Sequence, residues 1–166
     1  MSARAAWRLE GLGFIAYRYQ AGKADWFAAG LPREGKDAGI PRVADIASRD
    51  VPTARLDESV AELRERIGKG EAEPLVVVGS DRVVLGFVTS DVLRADPEGR
   101  VEDVMDPAPV TFRPNLRVGE VPAYFTKEGM PHALVTTSDG VLIGLVHRHS
   151  HVPKPDENQH TERKSL

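Results

Sequence analysis

The chain carries the same pattern of residues twice, at a constant offset of 58 positions. Residues 83–88, Val-Val-Leu-Gly-Phe-Val, fall on residues 141–146, Val-Leu-Ile-Gly-Leu-Val, and Val60 falls on Val118. An alignment that keeps its register over this length without a gap indicates an internal duplication. The chain must therefore fold as two copies of one structural unit.

Each copy reads as a strand, a helix and two further strands. In the first copy, an extended piece at 51–55 leads into a helix with apolar residues three and four positions apart. Buried strands at 75–78 and 83–88 follow around a Gly-Ser-Asp turn, and residues 91–94 form a short helix. The second copy repeats the plan with strands at 110–112, 133–136 and 141–146. Neither unit buries much surface alone, so we expect the two to pack sheet to sheet as one body.

Composition excludes several classes of function. Hydrophobic residues at 41% and charged residues at 28% are typical of a soluble globular protein, and a net charge of -3 gives no reason to expect nucleic acid or a membrane as partner. The absence of cysteine excludes disulfides, thiolate metal sites and cysteine nucleophiles. No apolar run approaches the roughly 20 residues that cross a bilayer. Arg4, Arg8 and Glu10 interrupt any signal-peptide core, so we expect a cytoplasmic protein.

The duplicated unit resembles a known family. Residues 53–60 and 83–91 are similar to the opening strand and the closing motif of a cystathionine-β-synthase (CBS) domain, and the pair resembles a tandem CBS, or Bateman, module. The resemblance implies an α+β fold of two β-α-β-β(-α) repeats, at 43–95 and 96–152, related by a pseudo-two-fold axis. It also implies a regulatory protein without catalytic activity that binds AMP, ADP or ATP between its repeats, needs no other cofactor and forms a homodimer.

The first repeat closes with Thr89-Ser90-Asp91. In the family pattern, Asp stands three residues after the hydroxyl residue, whereas Asp91 stands only two after Thr89. A hydroxyl and free N–H groups at a helix start can hold a phosphate, and a carboxylate can accept from ribose hydroxyls. The alternative is that Thr89 or Ser90 caps the helix and Asp91 favours its dipole. The resemblance implies a first binding site of Val51, Thr53, Val77, Gly86, Thr89, Ser90 and Asp91.

The second repeat departs from this motif, because His147-Arg148-His149 stands at the equivalent positions. The ribose-binding carboxylate is therefore missing, and the second site is empty, specialised or a phosphate contact through Arg148. The residues of this degenerate site are Thr111, His132, His147, Arg148 and His149.

A run of alternating histidines offers a separate metal hypothesis. His147, His149 and His151 would share one face of an extended strand, and neutral imidazoles bind zinc, copper or nickel. No cysteine or carboxylate completes the set, so the sequence favours a solvated tail over a metal site.

The residues before the repeats resemble the C-terminal third of a rhodanese domain, over 1–35. No sulfurtransferase chemistry follows, because the chain has no cysteine. The pattern predicts a helix at 3–10, a strand at 15–19 and a helix at 23–29, followed by a linker at 36–42. The aromatic residues of this segment are most simply packing residues that cover a face of the repeats; they are Trp7, Phe14, Trp26 and Phe27. For the two tryptophans the alternatives are packing on a second chain or partial exposure as an interaction patch.

Three functional hypotheses follow. The leading one is a regulatory module that senses an adenine nucleotide or related ligand and signals through a dimer or an unidentified partner protein. The alternatives are a ligand-free dimerisation scaffold and a metal-binding protein. The helices at 60–67 and 118–125 are expected near the dimer interface. The polar, proline-containing residues 153–166 predict a disordered tail.

Overall fold

The computed structural model describes residues 3–67, 74–95, 98–107, 109–128 and 131–148. The N-terminal segment contains helices α1 (Ala3–Gly11) and α2 (Gly22–Ala28). The next elements are α3 (Val43–Ile46), β1 (Thr53–Ala54), α4 (Val60–Ile67), β2 (Leu75–Val78), β3 (Val84–Val88) and α5 (Ser90–Ala95). They are followed by α6 (Val101–Val104), β4 (Asp106–Pro107), β5 (Thr111–Phe112), a 3-10 turn (Val118–Glu120), α7 (Val121–Glu128), β6 (His132–Thr136) and β7 (Leu142–His147). No helix in these ranges is both long and apolar enough to span a bilayer.

The duplication extends to the hydrogen-bond register of two sheets, ordered β1-β2-β3-β4 and β5-β6-β7. In each sheet the first strand pairs parallel with the second, and the second pairs antiparallel with the third. Thr53 pairs with Val76, and Thr111 pairs with Leu134, so both partners shift by the same 58 positions. A register irregularity also occurs at the equivalent point of β2 and β6. The predicted α+β fold of two equivalent repeats is confirmed.

Each repeat opens with a short helix that packs into the core of the other repeat. Val43 of α3 is buried with Phe125 of the second repeat, and its N–H donates to the carbonyl of Leu116 at 2.9 Å. In the same way, Val101 of α6 is buried in the first repeat's core and donates to the carbonyl of Glu58 at 3.0 Å. This reciprocal exchange is a direct expression of the pseudo-two-fold relation.

A third apolar cluster joins the two repeats. Val76 and Val78 of β2 pack there with Leu134 of β6 and Leu145 of β7. Burial of such branched side chains contributes about 1.5–3 kcal/mol each relative to exposure. The two sheets therefore pack into one body, as the duplication predicts.

The N-terminal segment departs from its predicted structure. Residues 15–19 form no strand, since no neighbouring strand pairs with them in the described part of the chain. The expectation that Phe14 packs on the repeats is wrong, because 62% of this residue is exposed. Trp7 is 75% exposed, which agrees with the alternative in which a tryptophan of the segment stays exposed. Trp26 and Phe27 of α2 are half-buried, as expected of packing residues. The predicted tail at 153–166 lies outside the described residues.

Candidate ligand cleft between the repeats

A cleft of about 220 Å³ lies where the end of β3 meets the beginning of β6. Both repeats contribute to its lining, which is apolar apart from Thr89 and His132. The remaining lining residues are Pro74, Phe87, Pro109, Val110, Pro131, Ala133 and Leu134. The proline rings add apolar surface with little conformational freedom. Such a lining favours an apolar, planar body with few hydrogen bonds to the protein.

Two rings belong to the lining of this cleft, one from each repeat. The rings of Phe87 and His132 lie edge to face, with centroids 6.0 Å apart and an interplanar angle of 83°. His132 in turn pairs across the sheet with His147, the residue equivalent to Thr89. The structure thus brings Thr89 of the first predicted site and His132 of the second into one cavity.

Thr89 both caps a helix and lines the cleft. Its Oγ1 accepts a hydrogen bond from the N–H of Val92 at 3.5 Å, and its carbonyl accepts from the N–H of Leu93 at 3.1 Å. These are the bonds of an N-cap, so the capping interpretation is realised. The hydroxyl remains available as a donor, because a hydroxyl can donate and accept simultaneously.

Asp91 lies outside the cleft. Its side chain is 92% exposed and pairs with Arg94 at 3.3 Å. The sequence departure explains this position: one residue on an α-helix is a rotation of about 100°, so an Asp placed one residue early points in another direction. Ser90 precedes it as the first residue of α5.

The other residues of the predicted first site serve the fold and do not line the cleft. Val77 is fully buried in the first repeat's core, and Val51 belongs to the cluster between the repeats. Gly86 is buried where β4 pairs with β3. Thr53 lines a separate open depression, where its carbonyl accepts from Arg66 at 2.9 Å.

The degenerate second site is only partly described. Thr111 is exposed on the first strand of its sheet, and His147 is half-buried at the end of β7. Arg148 is exposed, and its N–H donates to the carbonyl of Pro131 at 2.9 Å. His149 lies outside the described residues.

The metal hypothesis gains no support from the described residues. These residues contain no group of three or more His, Cys, Asp or Glu side chains placed to hold a metal ion. His149 and His151, which the hypothesis requires beside His147, lie outside the described residues.

Sequence reasoning missed most of the lining. Phe87 stands inside the closing motif, and its large aromatic side chain is the sequence signal that could have placed it in the lining. Pro74, Pro109 and Pro131 each stand shortly before a strand, and their proximity depends on how the two repeats meet. Val110 is 46% exposed, which is unusual for a valine beside a strand and marks the open side of the cleft.

Comparison with known families settles what the repeats are. A model of the CBS domain matches residues 43–96 and 101–150. The chain belongs to the CBS domain family. The match begins at residue 43, so it gives no support to the rhodanese resemblance of residues 1–35. No curated protein sequence matches the chain.

Solved structures with the same fold include several CBS proteins. The cytosolic domain of the Mg²⁺ channel MgtE in complex with ATP is 23% identical, with a TM-score of 0.59 over 66% of this chain and 48% of that chain. CBSX2 in complex with AMP is 19% identical, with a TM-score of 0.57 over 64% and 90% of the two chains. The CBS domain pair of protein MJ0100 with 5′-methylthioadenosine and S-adenosyl-L-methionine is 22% identical, with a TM-score of 0.58 over 67% and 92%. This chain thus spans about half of the MgtE domain.

Proposed function

We propose that this CBS pair is a non-catalytic regulatory module that binds a small adenosine-containing ligand in the cleft between its repeats. The observation that carries the proposal is the apolar cavity that both repeats build around Phe87, Thr89 and His132. Neighbours of the same fold were solved with ATP, with AMP and with S-adenosyl-L-methionine, which supports this class of ligand.

The size of the cleft limits which part of the ligand enters it. Pockets for drug-sized ligands usually measure about 300–1,000 Å³, whereas this cleft measures about 220 Å³. A planar base is the part of a nucleotide that suits this space, and the ribose and phosphates then lie towards solvent. The Phe87 and His132 rings contact the base, and the Thr89 hydroxyl donates to it or to the ribose.

A ligand in this position would couple the two repeats. Phe87 and Thr89 come from the first repeat, whereas His132 and Val110 come from the second. A ligand that contacts both binds best to the relative orientation that brings them together, and therefore shifts the population towards that orientation. A partner protein or a second copy of the chain would read the shift.

Calorimetric titration with AMP, ADP, ATP and S-adenosyl-L-methionine tests the proposal. Val110→Asp places a charge in the apolar cleft from an exposed position, and should weaken binding at least about tenfold. Phe87→Leu keeps an apolar side chain but removes the ring, and should weaken binding by about 0.5–1.5 kcal/mol. Asp91→Ala is the matched control, because its side chain is 92% exposed and outside the cleft.

Two results would reject the proposal. If none of the four ligands binds at millimolar concentration, a ligand-free scaffold becomes the better description. If a ligand binds and Asp91→Ala weakens it more than Val110→Asp does, the ligand occupies a different place from the cleft.

A further inference from the structure

A second and larger cavity lies between the N-terminal segment and the second repeat. It measures about 520 Å³, within the usual range for small-molecule sites. Trp26 and Phe27 of α2 line one part of it, and Arg42, Asn115 and Arg117 line another. None of these residues belongs to the cleft described above.

Specific contacts hold the N-terminal segment and its linker against the CBS pair. Asp37 pairs with Arg117 at 3.1 Å, and Arg42 Nη1 donates to the carbonyl of Asn115 at 3.2 Å. Arg33 pairs with Asp45 of α3 at 3.0 Å, with both side chains about two-thirds buried. The walls of the cavity are therefore fixed by contacts between the segment and the CBS pair.

The second repeat differs from the first where the segment docks. Asn115 and Arg117 are the equivalents of Asp57 and Ser59, so this surface has lost one negative charge and gained one positive charge. Arg117 is the residue that pairs with Asp37 of the segment. The duplicated surfaces have thus diverged in charge, and the segment lies on the more cationic one.

The lining of the cavity carries two cationic groups that form no ion pair with the described residues of the protein. Arg33 and Arg117 are paired with carboxylates, whereas Lys23 and Arg42 form no ion pair among the described residues. Arg42 Nε is buried and has no hydrogen-bond partner in the described part of the chain. A buried donor without an acceptor costs free energy, most of all when the group is charged.

Aromatic side chains lie beside these cations. The guanidinium of Arg42 lies 5.3 Å from the centroid of the Phe27 ring. Trp26 contacts Tyr19 edge to face, with centroids 5.2 Å apart, and its indole N–H donates to the carbonyl of Pro32 at 2.9 Å. The Trp26 ring is thereby held in place in the lining, where a planar group of a ligand can pack against it.

We propose that this cavity binds a small molecule that combines a phosphate group with a ring. The phosphate accepts from Lys23 and from the guanidinium of Arg42, because these two cations of the lining have no carboxylate partner, and the ring packs against Trp26. Glu34 also lines the cavity and offsets one of the two unpaired cations. Asn115 and Arg117 of the second repeat also line the cavity, so a ligand here contacts both the segment and that repeat and tightens the docking of the segment.

Tryptophan fluorescence gives a direct test in the full chain. The chain has two tryptophans, and Trp7 is 75% exposed outside both cavities. Trp7→Phe therefore leaves Trp26 as the single reporter of the proposed site. The probe is phenyl phosphate; benzoate carries a carboxylate in place of the phosphate, and benzyl alcohol carries no charge. We expect phenyl phosphate to change the Trp26 fluorescence in a saturable way, and the other two compounds to bind at least about tenfold more weakly.

Substitutions in the same background assign the binding groups. Lys23→Gln and Arg42→Gln should each weaken phenyl phosphate about tenfold, through loss of a charged hydrogen bond. Lys23 is exposed, so its variant remains folded and interpretable if Arg42→Gln is unstable. Arg100→Gln is the matched control, because Arg100 is the equivalent of Arg42 in the other repeat and does not line the cavity.

The outcomes separate this site from the cleft between the repeats. An unchanged Trp26 signal, equal weakening by Arg100→Gln, or benzoate binding as tight as phenyl phosphate would overturn the proposal. Val110→Asp should leave the Trp26 response unchanged, since Val110 lines only the cleft. The two cavities share no lining residue, so failure of adenosine ligands to bind the cleft would not affect the binding of phenyl phosphate to this cavity.

Discussion

Gly86 and Gly144, which stand 58 positions apart, occupy equivalent places in the closing strands of the two repeats. Each lies where the backbone of the other repeat approaches closely. A Cβ atom on Gly86 would lie 2.7 Å from the carbonyl oxygen of Asp106, and one on Gly144 would overlap the carbonyl oxygen of Ser48. In both places the approaching backbone follows the short helix that opens the other repeat. The glycines therefore permit the exchange between repeats.

Alanine at either glycine should destabilise the protein. We expect Gly86→Ala and Gly144→Ala each to lower the free energy of unfolding by about 1–3 kcal/mol, because backbone must move to admit the methyl group. Urea denaturation measures this loss. Gly119→Ala is the control, since no atom lies within 4 Å of its added Cβ. Wild-type stability of both test variants would contradict the close approach.

Among the secondary-structure elements, the short helices α3 and α6, of four residues each, connect the two repeats. Helices this short are not stable alone, so their stability comes from packing. Each has an aspartate that accepts from the N–H three residues earlier: Asp45 from Arg42 at 2.8 Å and Asp103 from Arg100 at 3.4 Å. The same local device thus positions both exchanged helices.

A double-mutant cycle can detect the exchange. Val43→Ala should lower the free energy of unfolding by about 1.5–3 kcal/mol, because Val43 is fully buried. When Val43→Ala is combined with Phe125→Leu, the two losses of unfolding free energy should deviate from additivity by at least about 0.5 kcal/mol, since the two side chains share a cluster. Combined with Leu63→Ala, it should be additive, because Leu63 belongs to the other repeat's core. Coupling to Leu63 and not to Phe125 would show that α3 packs on its own repeat.

In the molecule as a whole, the N-terminal segment has two distinct parts, one docked and one exposed. Around α2, it contacts the CBS pair: Arg33 pairs with Asp45 of α3, and Asp37 pairs with Arg117 of the second repeat. From α1 to residue 17 it exposes a series of large apolar side chains, which are Trp7, Leu12, Phe14, Ile15 and Tyr17. An exposed apolar series of this kind is typical of interaction surfaces.

Removal of residues 1–40 should destabilise the CBS pair. The loss comprises the Arg33–Asp45 and Asp37–Arg117 ion pairs and the contact of Phe27 with Arg42. Contributions of this kind sum to about 1–3 kcal/mol. Chemical denaturation of the full chain and of a chain beginning at Pro41 measures the difference. Identical stability would show that the docking contacts contribute nothing.

Homodimerisation is the remaining prediction at this scale. The exposed face of α4 is polar, whereas α7 exposes 46% of Tyr124, so Tyr124 is the expected contact of the predicted helical interface. Sedimentation equilibrium should show a dimer, and Tyr124→Lys should weaken it about tenfold or more. Lys36→Glu is an exposed control outside both helices. A chain that remains monomeric at high micromolar concentration would defeat the prediction.

The repeat, the order of its elements and the equivalence of the two sheets could all be predicted from the sequence. These features depend on apolar periodicity and on turns such as Gly79-Ser80-Asp81, which act over a few residues. The predicted site included Thr89, which lines the cleft and stands at the end of β3, a position defined within one repeat. It also included Asp91, whose side chain lies outside the lining, because one residue along a helix turns a side chain by about 100°.

How the two copies combine depends on tertiary contacts that the sequence pattern does not predict. Thr89 and His132 were assigned to different sites, yet they line one cleft because the sheets pack face to face. The exchange of α3 and α6 has no local signature, since Val43 is apolar whichever core it enters. The N-terminal segment lies on the second repeat, where Arg117 stands in place of the Ser59 of the first repeat. This difference in charge has an effect because Asp37 lies opposite Arg117 in the folded chain. All three features depend on contacts between residues that are distant in sequence, and a local sequence pattern carries no information about such contacts.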